Sequence, residues 1–440
     1  MDNILPQRPV SRLVAPIQRF LHIEAAGGLV LFCCTALALF VANSPWASWY
    51  QGIWNQPLGV TLGNFSMSYP LWYWVNDALM AVFFFVIGLE IKRELTTGEL
   101  SDKRKVVLPV AAAIGGATAP AIIFHLLQSG QPGQSGWAIP MATDIAFVVG
   151  AISLFGKRAP HGLKVFLLSV AIVDDLLAVS VIAVFYAESI RWTWMLISAG
   201  GFGLVALLNR LGVRAISVYL LTGGGIWYAV HHAGIHPTVA GVILGLMTPS
   251  RSLIERNTIR SILTSLQSTF EQASEDKGRI GSVTLAQTAQ FAAKESVPPS
   301  DRLENALHPW VVFVIMPLFA LANAAAPFNE TSLGDSLSLA IIVGLVVGKP
   351  IGILATSYAV VKMRWTKLPE SLNWTIMLGA GLISGIGFTM SLFIAQLGLG
   401  GDLLQIAKGG VLVASAVSLV IGCGVLLLAL KARNYRSNGS

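Results

Sequence analysis

This 440-residue sequence predicts an all-α membrane bundle of about twelve transmembrane helices, and three observations carry that expectation. Hydrophobic residues make up 54% of the chain and charged residues 12%, about half the charged share of an ordinary soluble domain. Uncharged runs long enough to cross a bilayer core, such as Ala25 to Asn43, recur along the whole length. The basic residues fall in alternate loops. Arg8, Arg12 and Arg19 precede the first span, Lys92, Arg93, Lys103, Arg104 and Lys105 follow the second, and further groups include Lys157, Arg158 and Lys164, then Lys431, Arg433 and Arg436. The intervening loops 128–136 and 326–335 carry no lysine or arginine. That alternation is the positive-inside pattern of an even-numbered bundle with both termini in the cytoplasm.

The net charge of +7 therefore reads as topology, and no nucleic-acid partner is implied. The three cysteines, Cys33, Cys34 and Cys423, lie in apolar runs and form neither a disulfide framework nor a metal motif. No cofactor is expected. The first apolar run is too long for a cleaved signal and reads as a retained span.

In chain order, span one is followed by an external segment, 45–69. Within it Leu58, Val60 and Leu62 alternate, Gly63-Asn64 offers a turn, and Phe65 and Met67 resume the alternation. This suits a two-stranded hairpin as well as an ordered loop. A lone hairpin is marginal in water, so a partner is expected, such as the same hairpin of a second protomer. Span two covers Leu71 to Leu95, span three Val106 to Leu127 and span four Trp137 to Phe155. Spans five to eight run to Met247. One soluble cytoplasmic insertion, 248–307, precedes spans nine to twelve, and the whole of 1–440 reads as a single polytopic domain.

Spans four and eleven are unusual. Span four holds Pro140, Thr143 and Asp144 in mid-membrane, and span eleven has Gly379, Gly381, Gly385 and Gly387 close together. Both read as interrupted helices, because proline and glycine free backbone groups that then need a cavity or polar partners. Glycines that merely permit close helix packing are the alternative.

Four ionisable residues stand deep in apolar spans: Asp144, Asp174, Asp175 and Lys349. Each costs about 2.5–3.5 kcal/mol at the bilayer centre on insertion scales. A purely structural salt-bridge cluster leaves at least one carboxylate unpaired. Adjacent residues on a helix point about 100° apart, so Asp174 and Asp175 can both edge one cavity. Two carboxylates in one dehydrated site resist ionising together, and such a pair holds protons or ligates a small hard cation. Thr143 adds a hydroxyl. Asp144 suits facing helix N-termini and Lys349 facing C-termini, should two broken helices cross. Lys349 can also carry a proton.

Glu90, Lys92, Arg93 and Glu94 end span two, where the residue pattern alone favours a solvated helix end. Arg302, Glu304 and His308 form a similar group at the start of span nine. His231, His232 and His236 read as an outside loop, with no HExxH motif to suggest a metal site. A channel would favour carboxylate rings or a carbonyl filter, and neither is evident. An intramembrane serine protease would need glycine where Leu382 stands before Ile383-Ser384-Gly385; the chain does not read as an enzyme.

At these residues the sequence resembles the NhaA-type sodium/proton antiporters. The resemblance runs through Trp74–Phe84, Gly88–Leu95, Gly136–Phe147, Ala171–Leu176, Leu307–Trp310, Gly348–Gly352 and Gly385–Ser391, in the family's order. It implies inverted-topology repeats formed by spans three to five and ten to twelve, with spans four and eleven crossing. It implies Na+ binding by Asp174 and Asp175, with Asp175 the more direct ligand, Asp174 able to pair with Lys349, and Thr143 and Asp144 in support. It makes Glu90, Arg93, Glu94, Arg302, Glu304 and His308 a cytoplasmic pH-responsive cluster, and links His236 to the pH response. The implied function is electrogenic, alternating-access extrusion of Na+, and of Li+, in exchange for external protons. That activity would serve pH and sodium homeostasis in a bacterial inner membrane, by a homodimer joined through 45–69. The 248–307 insertion looks longer than the family's usual one.

Overall fold

The computed structural model describes residues 24–62, 65–102, 105–187, 189–213, 216–252, 261, 264, 279–327 and 334–437. Arg8, Arg12 and Arg19, the Gly63-Asn64 turn and much of the insertion lie outside the described residues.

Helix α1 (Glu24–Ala42) is uncharged after its first residue and bends 119° into the short α2 (Ala47–Trp54). Strands β1 (Pro57–Leu62) and β2 (Phe65–Pro70) follow, antiparallel, with Val60 opposite Met67 and Leu62 opposite Phe65. Two bonds tie this hairpin to the next helix, α3 (Leu71–Thr96). Leu71 N donates to Gln56 O at 3.0 Å and Trp74 Nε1 to Leu58 O at 2.8 Å. Helix α4 (Val107–Gln128) is followed by two 3-10 turns, Pro132–Gly136 and Ile139–Met141, and then α5 (Ile145–Ser153). Next come α6 (His161–Phe185), α7 (Trp192–Arg210), α8 (Ile216–His232) and α9 (Thr238–Met247). The remaining helices are α10 (Arg279–Glu295), α11 (Pro299–Asn323), α12 (Ser336–Lys362), α13 (Trp374–Ser384), α14 (Phe388–Gly398) and α15 (Gly401–Ser437).

The chain is a multi-pass, predominantly helical membrane protein. Among the described residues seven helices are long and apolar enough to span, or ten if each bent pair is one span, against about twelve expected. Part of the difference lies in α9, which has 10 residues, fewer than a bilayer core requires. Leu126, Leu154, Leu220, Leu221 and Val420 project outward and exposed. In water so much exposed apolar surface would promote association, whereas in a bilayer it meets lipid.

Both interruptions are present. In span four the chain is extended over 142–144 between Met141 and α5, with a bend of 44°; in span eleven it breaks at 385–387 between α13 and α14, with a bend of 46°. Before its break span four holds only a 3-10 turn, Ile139–Met141, and a second 3-10 turn, Pro132–Gly136, precedes it. Proline explains a looser turn in α12. Pro350 brings no N–H to the Val346 carbonyl, and the preceding residues Gly344–Gly348 widen into a π turn.

Two boundaries differ from the sequence expectation. Helix α11 begins at Pro299, so the last part of the 248–307 segment is the first turns of a span. His231 and His232 end α8, and only His236 lies in the turn before α9.

Packing concentrates in one core that joins α3 to α6 and α11 to α15, with a smaller cluster of Val205, Ile226, Val230 and Ala240 between α7, α8 and α9. Glycine sets the closest approach between α4 and α12. A Cβ on Gly352 would overlap the Gly115 carbonyl, and one on Gly115 would overlap the Gly352 carbonyl. Lys349 lies one turn before this contact.

Candidate functional site

The two breaks hydrogen-bond to each other. Asp144 N donates to Ile386 O at 2.7 Å, and Thr143 Oγ1 lies 3.0 Å from Ser384 O. Asp144 is the N-cap of α5, its Oδ1 accepting from Phe147 N at 3.1 Å. Its other oxygen, Oδ2, accepts from Thr389 N at 3.0 Å and from the Thr389 hydroxyl, at the start of α14. One fully buried carboxylate therefore meets the positive ends of two half-helices. Ser391 supports the same arrangement, its hydroxyl donating to Ile139 O at 2.7 Å.

Lys349 faces the opposite kind of helix end. Its ammonium donates to the carbonyl of Met141, where the 3-10 turn stops, and lies 2.6 Å from Asp174 Oδ2. The Thr143 hydroxyl also sits 2.6 Å from that oxygen. Asp174 is thus held by an ammonium and a hydroxyl, and all three side chains are buried.

Asp175 is different. It is 1% exposed and forms no ion pair among the described residues, although its Oδ1, like that of Asp174, has no hydrogen-bond partner there. It lines a cavity of about 570 Å³, together with Asp144, Thr389, Glu90 and His308. The cavity also reaches His161 and Lys164 in the first turn of α6, some 14 residues or roughly 21 Å along the helix from Asp175. Asp174 is not part of its wall. With three carboxylates and one lysine at the centre, Asp174 takes the lysine, Asp144 takes the two helix dipoles, and Asp175 keeps its charge uncompensated beside an open space.

The charged ends of α3 and α11 meet. Arg93 pairs with Glu304, lies 3.8 Å from Glu94, and Arg302 lies 3.5 Å from Glu295 on α10. Glu90 and His308 face the cavity instead. His236 stands apart from all of these. Its Nε2 is 3.7 Å from Asp77 Oδ1 and its Nδ1 is 2.8 Å from the Thr238 hydroxyl. Burial pushes its pKa down to about 3, with His231 adding repulsion.

Thr389, Ser391 and Asp77 of these networks escape the sequence reading, and so does Lys408, buried on α15. Asp77 and Lys408 are buried ionisable residues in apolar helices, the same signal that singles out Asp144. Among the described residues no group of three metal-ligating side chains occurs.

Residues 18–426 match the family described as Na+/H+ antiporter 1. The chain is 47% identical to a Na(+)/H(+) antiporter NhaA of Rhodopirellula baltica over 97% of both chains. It is 45% identical to one of Rhizobium meliloti over 96% of this chain and 97% of that one. Na(+)/H(+) antiporter NhaA 2 of Vibrio vulnificus is 44% identical over 95% and 93%. The chain belongs to the Na+/H+ antiporter 1 family. In this chain Asp144, Asp174, Lys349 and both helix breaks are joined in one connected arrangement.

Proposed function

We propose that this protein exchanges sodium ions for protons across the bacterial inner membrane, at one carboxylate site opened alternately to the two sides. The observation that carries this reading is Asp175, a buried carboxylate without a cationic partner on the wall of a cavity. A buried charge left unpaired is costly, so it recruits either a proton or a cation. Both cannot occupy it together, and that competition couples the two flows. Asp175 acts as the direct Na+ ligand, and Asp174 joins it when it exchanges Lys349 for the ion. Thr143 supplies a hydroxyl, and Asp144 holds the crossing of the broken helices. Lys349 carries a proton while it is paired with Asp174 and gives it up when Na+ takes its place, and with the proton that Asp175 exchanges this makes the cycle electrogenic, with more than one proton entering per Na+ leaving.

The cavity ends among Glu90, His308, His161 and Lys164, on the side where the basic loops gather, and this supports an inward-open state with cytoplasmic termini. Li+ is a second substrate. The Arg93–Glu304 and Arg302–Glu295 pairs, with Glu90, Glu94 and His308, form a cytoplasmic region responsive to pH. The hairpin joins two protomers, and the inverted repeats of spans three to five and ten to twelve supply the motion. Neither catalysis nor a cofactor enters this scheme.

The test uses everted vesicles energised with a proton gradient, to which sodium is added. Wild type should release the gradient. Asp175→Asn removes a charge-assisted ligand worth about 1.5–3 kcal/mol, so sodium affinity should fall about 10–100-fold. Asp174→Asn should fail similarly. Normal exchange by either folded variant would return the pair to a structural role.

A further inference from the structure

Three side-chain amides on three helices bind one another away from the carboxylates. Asn76 Nδ2 of α3 donates to Gln396 Oε1 of α14 at 3.0 Å and lies 3.3 Å from Asn323 Oδ1 of α11. Asn323 Nδ2 returns a bond to Asn76 Oδ1 at 2.7 Å and is steadied by the Phe319 carbonyl at 3.0 Å. Asn76 and Asn323 are buried.

Their position along each helix is informative. On α3, Glu90 and Phe83 line the cavity, Met80 lies beyond it, and Asn76 is one turn further out. On α11 the order is His308, Met316, Phe319, Asn323, and on α14 it is Thr389, then Gln396 two turns on. A small void bounded by Met80, Phe83, Met316, Phe319 and Thr389 separates cavity from amides, and it is too narrow for a water molecule. Thr389 borders both spaces. The amides therefore close off the end of the path opposite the cavity mouth, behind an apolar plug.

We propose that Asn76, Asn323 and Gln396 form an external latch, which is intact while the carboxylate site faces inward and parts when it faces outward. This rests on the alternating-access reading above. Gln396 belongs to span eleven, inside one inverted repeat, whereas Asn76 and Asn323 belong to spans two and nine, outside both. The Asn76–Gln396 bond thus crosses between the repeat unit and the helices around it. Amides suit a contact that must open repeatedly. When parted they exchange one another for water, and no unpaired charge is left in the membrane.

The test reads accessibility and transport separately. In a background with Cys33, Cys34 and Cys423 replaced by serine, Met80→Cys reports on the plug. Gln396→Leu should raise labelling by an impermeant external thiol reagent at least about threefold. It should weaken apparent cytoplasmic Na+ affinity by about the same factor, because the inward-facing fraction falls. Asn323→Ser serves as the second variant should Gln396→Leu not fold. Unchanged labelling and affinity in a folded variant would overturn the latch, and so would labelling that rises equally from both sides, which marks a mere seal. If wild type shows no sodium-dependent proton movement, the transport reading fails, while external labelling still tests the latch alone.

Discussion

Lys349→Met leaves the Asp174 carboxylate buried without its cation, and an ion pair broken in this way costs about 3–5 kcal/mol. The expected result is a lower melting temperature in detergent for the single variant. Adding Asp174→Asn should recover most of the loss, since the double variant buries no unpaired charge; if it melts no higher than Lys349→Met, the 2.6 Å contact does not carry the effect. His236 gives a pH signature of its own. Its imidazole accepts a proton near pH 6.5 when unfolded but only at about 3 when folded. Between those values the unfolded chain binds more protons, so stability falls as pH drops from about 6.5 towards 3. Melting temperature measured across that range should fall less steeply in His236→Gln than in wild type. At pH 7 and above His236 is neutral in this conformation, and an alkaline response through it needs a conformation in which it is hydrated. At this scale residue type in context was legible: Asp144, Asp174, Asp175 and Lys349 stand out as charges in apolar runs. The division of labour between Asp174 and Asp175 was not legible in the residue pattern, where neighbours on one helix carry the same signal, and only the family resemblance implied it. The positions of Lys349 and the cavity tell the two apart.

Between elements, the contact to test is α4 against α12. Gly352→Val should force these helices apart, because the added atoms meet the Gly115 carbonyl and not the end of a flexible side chain. The displacement is passed to Lys349 one turn away. Overpacking of this kind costs about 1–3 kcal/mol. Sodium-dependent proton movement should fall more than membrane insertion does, and equal losses would make the glycine a folding determinant only. Pro140 and the glycines of span eleven announced the breaks in the sequence, since each removes or loosens a rung of the ladder. The 3-10 form of span four before its break carried no such signal, nor did the start of α11 at Pro299. Arg302 and Glu304 read as the edge of span nine, within a soluble insertion bounded at 307, and here they lie in the first turns of the helix, where Glu304 pairs with Arg93.

For the whole molecule, the hairpin invites deletion. Excising 57–70 removes β1 and β2 with the Leu58 carbonyl that accepts from Trp74, and leaves the carboxylate site untouched. The proposed homodimer should then shift to monomer in light scattering, while sodium-dependent proton movement continues. A dimer that persists would place the protomer contact elsewhere. Period-two alternation at Leu58, Val60 and Leu62 was a local signal and so visible in the sequence. Helix number was a global quantity, blurred where α9 is too short to meet the length rule.

The waterless void bounded by Met80, Phe83, Met316, Phe319 and Thr389 also bears on energy conservation. Protons hop readily along continuous files of hydrogen-bonded water, far faster than any helix rearranges. A gap that admits no water breaks such a file, so on the proposed reading protons cannot short-circuit from one face of the membrane to the other while the carboxylate site faces inward. The cell's electrochemical reserve is then drawn down only by complete turnovers, and the apolar side chains of that gap act as its electrical insulation.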